Sequence, residues 1–316
     1  MTGAEWLGHR MRWLAIGGLH VVTGKYFISK TKYGNKVLHS GEEGNARLRE
    51  LVRGNSPFAF CRFSYTEMDI MIRSITERLL HVHSTDRIKW LDIFCEEGES
   101  ASRGAAKYTE LMSDAFKDAD MIGIWDNMHM GDALLKTMDT KEDVFVTDAR
   151  SVEGYSFTDP WTWALEGKKV LVVSPFSEAI RYQYGRKELV WGDRRVLPDF
   201  SLDTEDAIWY YAGKRDERFS DWFKAYDHLF DTIMSHDFDI CILACGYFGF
   251  GLAAGIKRAG KQAVHMGGAT QLLFGIKGKR WDGKPGITAL YNDNWIRPDA
   301  KLKPIDDKNL DDGCYW

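Results

Sequence analysis

The feature that most constrains this chain is a unit repeated along it: a short apolar run, a turn of small or polar residues, then an amphipathic helix. Residues 58–63 form such a run, with Ser64-Tyr65-Thr66 as the turn and a helix from near Glu67 through Met71 and Ile75 to Leu80. Residues 170–173 form a second, leading through Ser174-Pro175-Phe176 to Ser177, which is expected to cap the next helix. Residues 240–244 run into Cys245-Gly246-Tyr247-Phe248-Gly249-Phe250-Gly251 and a helix over 252–259 that stops at Gly260. Residues 262–266 precede the turn Gly267-Gly268 and a helix over 269–274. Runs without polar alternation belong to strands covered on both faces, and strands alternating with helices imply right-handed crossovers. The fold expected is α/β and Rossmann-like, with a mainly parallel sheet flanked by helices.

Further helices are expected over 46–53, with Asn45 as cap, over 103–116 and over 219–235, and a strand over 120–125. Residues 1–44 read as a charged, loop-rich N-terminal extension. Residues 45–316 read as one domain whose last part, from about 275, is an irregular Gly/Lys/Trp-rich tail wrapped over the ligand edge of the sheet. With 44% hydrophobic and 28% charged residues, the 316-residue chain has material for a large core and is not a disordered sequence. A formal net charge of −4 speaks against generic nucleic-acid binding, which needs a basic surface to neutralise phosphate. Five scattered cysteines with no C-x-x-C pair favour a reducing compartment, and cytoplasmic is the expectation. Arg10 and Arg12 precede an apolar stretch over 14–22 that has no cleavage site and falls short of the ~20 residues needed to cross a bilayer. It reads as an extra helix lying on a membrane, at its inner face, or on a partner.

Two segments have the chemistry to hold a phosphate. At 240–260 a buried strand, a glycine-rich turn and a helix start offer free backbone N–H groups. The spacing Gly246-x-x-Gly249-x-Gly251 is not G-x-G-x-x-G, and 261–266 lacks the acid that would hold a ribose, which disfavours an NAD oxidoreductase. Close helix–sheet packing is the other use for those glycines. The second segment is Gly267-Gly268-Ala269-Thr270-Gln271, followed by the cations Lys277, Lys279 and Arg280.

Among acids, Asp237-x-Asp239 and Asp118-x-Asp120 stand before their strands, away from the carboxyl ends where ligands gather. Glu67 follows a strand, so it is a weak metal ligand, a general base, a ribose acceptor or a helix-start acid. His81 and His83 have poor metal spacing, and His265 is a core histidine or a base at the strand edge. No G-x-S-x-G, H-E-x-x-H or Walker A sequence is present. Trp161, Trp163, Trp281 and Trp295 fit either sugar stacking or core packing.

Five stretches together resemble the bacterial GT-D-like glycosyltransferase family, whose members lie among surface-polysaccharide genes. They are Arg62-Phe63-Ser64-Tyr65-Thr66-Glu67, residues 168–176, Cys245-Gly246-Tyr247-Phe248-Gly249, the long run 261–281, and Gly313-Cys314-Tyr315-Trp316. The resemblance implies a domain that uses a nucleotide-sugar, typically a UDP-sugar, with Mn²⁺ or Mg²⁺. Characterised relatives read R-F-G-D-G-E in the first turn. Here Ser64 and Tyr65 replace the Gly and Asp, and only Glu67 matches, which halves the acidic charge offered to a hard cation.

The expectation is a transferase moving sugar from a nucleotide donor to a hydroxyl of a glycan-type acceptor. Arg62, Tyr65, Gly246, Gly249, Gly268, Thr270, Lys277, Lys279 and Arg280 would bind the donor, Glu67 or His265 would act as base, and Glu67 is the metal candidate. The alternative is a non-catalytic module that binds a nucleotide or glycan in an assembly complex.

Overall fold

Phe58 and Phe60 point to one side of their strand and Ala59 and Cys61 to the other, and all four are buried. Such a strand needs a layer on each face, which places it at the middle of a three-layer fold. The computed structural model describes residues 1–23, 32–82, 89–96, 98–125, 130–210, 215–299 and 315. Its strands are β1 (Lys32–Tyr33), β2 (Lys36–His39), β3 (Phe58–Arg62), β4 (Met121–Ile124), β5 (Phe145–Asp148), β6 (Lys169–Ser174), β7 (Ser201–Asp206), β8 (Ile240–Leu243) and β9 (Gln262–His265). They form one sheet in the order β1-β2-β5-β4-β3-β9-β8-β6-β7, parallel throughout except for the β1–β2 hairpin.

One face is covered by α1 (Gly3–Thr23), α3 (Tyr65–Leu80), α4 (Ala101–Asp118), α5 (Gly131–Thr137), α8 (Trp222–Ser235) and α9 (Gly249–Arg258). The other carries α2 (Gly41–Arg53), α6 (Ser177–Tyr184), α7 (Lys187–Val190), α10 (Ala269–Leu273), α11 (Lys279–Asp282) and the 3₁₀ turns after β5. A last short helix, α12 (Pro285–Thr288), lies in the C-terminal segment. Crossovers toward the β1 edge (β3 to β4, β4 to β5, β7 to β8, β8 to β9) pass over the α3 face. Those toward the β7 edge (β2 to β3, β5 to β6, β6 to β7) pass over the α2 face. Direction and face change together, as a single hand of crossover requires.

Helix starts follow their caps. Ser64 caps α3 in a reciprocal box with Glu67, so the helix begins at Tyr65. α2 begins at Gly41 under an equivalent Ser40–Glu43 box, not at Ala46. Asn45, expected to be its cap, is instead buried, with Nδ2 donating to the Asp159 carbonyl and Oδ1 accepting from the Trp161 N–H. Ser177 makes no cap either; its hydroxyl donates to the carbonyls of Ser174 and Glu205.

Residues 36–39, read as part of an extension, are a sheet strand parallel to β5. β5 and the polar edge strand β7 lacked an apolar run long enough to be read. Asp118 and Asp120 sit at the amino end of the sheet in an ion cluster. Asp120 accepts from the Ala59 N–H and from the Lys141 and Lys257 ammonium groups, and Asp118 pairs with Arg258. Asp237 and Asp239 both engage Lys169 at the start of β6. Cys61, Cys95, Cys241 and Cys245 are buried free thiols, and Cys314 lies outside the described residues.

Candidate functional site

After β3 the chain turns onto the α3 face, and after β9 it turns onto the α10 face. Adjacent strands whose connections part in this way leave a crevice at their carboxyl ends. The same parting occurs between β4 and β5, among others. Charge singles out the stretch from β5 to β9. Arg62, the last residue of β3, reaches across it: Nη1 donates to the Met266 carbonyl at 2.6 Å, and Nη2 lies 3.6 Å from Glu153 Oε1. Its guanidinium stacks over the Trp125 ring, 4.8 Å from the centroid. Burial lowers the Arg62 pKa and raises that of Glu153, and the attraction between the two opposes both shifts.

Beyond β9 the Gly267-Gly268 turn is flanked by two cations. A side chain at Gly267 would begin 3.3 Å from Arg62 Nη1, and one at Gly268 would begin 3.1 Å from Arg280 Nη1. Gly267 also has φ +62°, a conformation that glycine adopts without strain. Arg280 itself lies between the rings of Trp281 and Tyr315, and the Tyr315 carbonyl accepts from Gln271 Nε2. Arg62, paired with Glu153, and Arg280 thus bring two guanidinium groups close to one turn, an arrangement whose charge suits an anion. Around this turn, His265 Nδ1, Thr270 Oγ1, Gln271 Oε1 and the Tyr155 hydroxyl are buried polar atoms without a hydrogen-bond partner among the described residues. Each costs free energy until something satisfies it.

On the β5 side, a cleft of about 380 Å³ opens among Gly41, Glu42, Asp148, Arg150, Glu153 and Phe157. Glu153 belongs both to this cleft and to the Arg62 pair. Neither Glu153 nor Tyr155 was read from the sequence. The signal that would have found them is the polar segment after β5, once β5 itself is recognised.

The other expected residues divide. Arg62, Gly268, Thr270 and Arg280 come together at one turn. Tyr65 stands exposed at the first residue of α3, while Gly246 is exposed after β8 with φ +55° and no atom close to where its Cβ would be. Gly249 serves packing, since a Cβ there would begin 2.3 Å from the His265 ring. Lys277 turns to the Tyr291 ring at 5.4 Å, and Lys279 stands exposed at the start of α11. His265 is buried, and burial with the nearby Arg62 charge lowers its pKa to about 3, so the imidazole is neutral. His81 is the left-handed C-cap of α3, and His83 lies outside the described residues. Trp161, Trp281 and Trp295 are core residues; of the four tryptophans, Trp163 alone is exposed, between Arg53 and Arg195.

Glu67 points inward. It is 2% exposed, accepts from the Ser64 N–H at 2.6 Å, and is pushed up to about pKa 7 by burial against the opposing Ser64 hydrogen bonds. A hard divalent cation needs several oxygen ligands converging on one point. Among the described residues no group of three or more His, Cys, Asp or Glu side chains offers that. The described residues by themselves therefore do not make up a site for the metal that the sequence resemblance implies.

No protein-family model and no curated protein sequence matches the chain. Among solved structures it is similar to one described as "The highly conserved domain of unknown function 1792 has a distinct glycosyltransferase fold". The identity is 12% over 72% of this chain and 82% of that one, with a TM-score of 0.40. It is also similar to one described as "A New Glycosyltransferase (DUF1792) from Streptococcus sanguinis", at 10% identity over 73% and 82% of the two chains and a TM-score of 0.42.

Proposed function

We propose that the chain is a glycosyltransferase that binds the diphosphate of a nucleotide-sugar, a UDP-sugar by the sequence resemblance, at the carboxyl ends of β3 and β9. The observation that carries this reading is the close approach of Arg62 and Arg280 to the Gly267-Gly268 turn, beside buried polar atoms that have no hydrogen-bond partner among the described residues. In the transfer step the acceptor hydroxyl oxygen bonds to the anomeric carbon, and the bond from that carbon to the phosphate oxygen breaks. The nucleoside diphosphate leaves with the electron pair, and the two guanidinium groups stabilise its charge.

Glu153 is a better base than the two groups expected from sequence. It lies in the cleft with a raised pKa, whereas Glu67 caps a helix and His265 is enclosed. The cleft beside Glu153 is the natural place for a glycan-type acceptor. A cytoplasmic site, where nucleotide-sugars are made, follows from this reading.

Titration calorimetry with UDP-, GDP-, dTDP- and CMP-sugars, with and without Mn²⁺, tests it, alongside donor consumption with an acceptor panel. One nucleotide family should bind without needing Mn²⁺, and Arg280→Ala should weaken that binding by about tenfold or more, as loss of a charged hydrogen bond does. Glu153→Gln should keep binding and lose turnover. Absence of binding by every donor sinks the proposal. The second reading, a non-catalytic binding module, is favoured by the burial of Glu67 and His265; binding with no turnover for any acceptor would select it.

A further inference from the structure

We infer that the outward face of α1 docks on an anionic lipid surface. The inner side of this helix is fixed. Trp6 is fully buried with Nε1 donating to Thr76 Oγ1 at 2.9 Å, Arg10 Nη1 donates to the same hydroxyl, and Gly3 closes on the Leu79 carbonyl. His9 faces Asp132 and Met1 faces Thr137, so α1 runs antiparallel to both α3 and α5, from the amino toward the carboxyl edge of the sheet.

The opposite side carries Leu7, Met11 and Leu14, 47%, 60% and 55% exposed, at the i, i+4, i+7 spacing of one helix face. Ala4, Gly8 and Ala15 complete that face and are also exposed. No charged side chain interrupts it. A soluble surface rarely leaves such a stripe uncovered.

Charge identifies the occupant. Residues 1–31 contain Arg10, Arg12, Lys25 and Lys30 against the single acid Glu5, in a chain of formal net charge −4. A second copy of the chain, joined face to face, would bring two basic segments together. An anionic bilayer attracts the basic segment and accepts the apolar stripe. The helix is not long and apolar enough to cross a membrane, so it lies in the interface.

Flotation of the full-length protein with vesicles tests this, using phosphatidylcholine alone and phosphatidylcholine mixed with phosphatidylglycerol. Binding is expected on the phosphatidylglycerol vesicles and should weaken as salt is raised. The triple variant Leu7→Ser, Met11→Ser, Leu14→Ser should lose at least about tenfold in partitioning, with an unchanged melting temperature because these side chains are exposed. Arg12→Glu should reduce binding to the anionic vesicles. No binding to either vesicle, or equal binding by the triple variant, overturns the inference. A concentration-dependent dimer that the triple variant abolishes would give the face to a second copy and overturn it equally.

Discussion

Glu67 and His265 are both enclosed near the ends of neighbouring strands, and burial shifts their pKa values in opposite directions because it penalises whichever form is charged. The consequence for Glu67 is measurable. Its folded pKa, about 7, lies above its ordinary 4.5, so across that window the folded chain holds a proton that the unfolded chain has released. Stability therefore falls as pH rises through the window. Glu67→Gln keeps an acceptor for the Ser64 N–H without the cost of ionisation. It should be more stable than wild type at about pH 8 by something on the order of 3 kcal/mol, and close to it at about pH 4. Urea midpoints at the two pH values check this; an equal difference at both would show that the shift is absent. Gly249→Ala makes the complementary steric test, because the new methyl would collide with the His265 ring. A loss of about 1–3 kcal/mol is expected, read from the same urea curves.

At the scale of elements, amphipathic helices and buried strands were legible because their periodicity depends on local sequence alone. β2, β5 and β7 were not. Each is a short or polar strand whose identity comes from the strand beside it: among the described residues β7 pairs with β6 alone, and β2 is tied to the sheet by β5. α2 shows the same limit at a boundary. Its Ser40–Glu43 box fits the capping signature, yet Asn45 drew the assignment because polar residues crowd the whole segment. Among the described side chains of α1, Trp6 is the large one that is fully buried, so Trp6→Ala should loosen the helix without unfolding the sheet. Removing a buried tryptophan costs roughly 3–5 kcal/mol, more than a single peripheral helix can spare. Limited proteolysis should then cut within the first 31 residues while the main melting transition stays in place. Uncut α1, or collapse of the main transition, would contradict this.

For the whole molecule, three titrating groups, His265, Glu67 and His236, combine their contributions to the pH dependence of stability. From about pH 3 to 6.5 the unfolded chain takes up a proton at His265 that the folded chain refuses, so this group makes stability rise with pH. Glu67 acts the other way from 4.5 to about 7. Burial pulls the His236 pKa down, but hydrogen bonds to Asp203 and Glu205 raise it overall, so its contribution is present below 6.5 and lost as pH rises. The contribution of these three groups taken together rises to about pH 4.5, is nearly level to about 6.5, and falls above that. His236→Asn should flatten the alkaline fall. A curve that keeps rising to pH 8 would exclude this combination of shifts.

Sequence by itself determined the class of the molecule: buried runs followed by small-residue turns and amphipathic helices leave a parallel sheet as the economical solution. It also named Arg62, Gly268, Thr270 and Arg280 as candidates, because strand ends and glycine turns announce themselves locally, and the fold brings these four to one turn. Only the tertiary structure decided what those residues face. Glu153 and Tyr155 reach Arg62 from a segment some 90 positions away, and Glu67 turns inward to cap α3. Strand order sets such encounters, and that order follows from packing two apolar faces at once, which no single stretch of chain encodes.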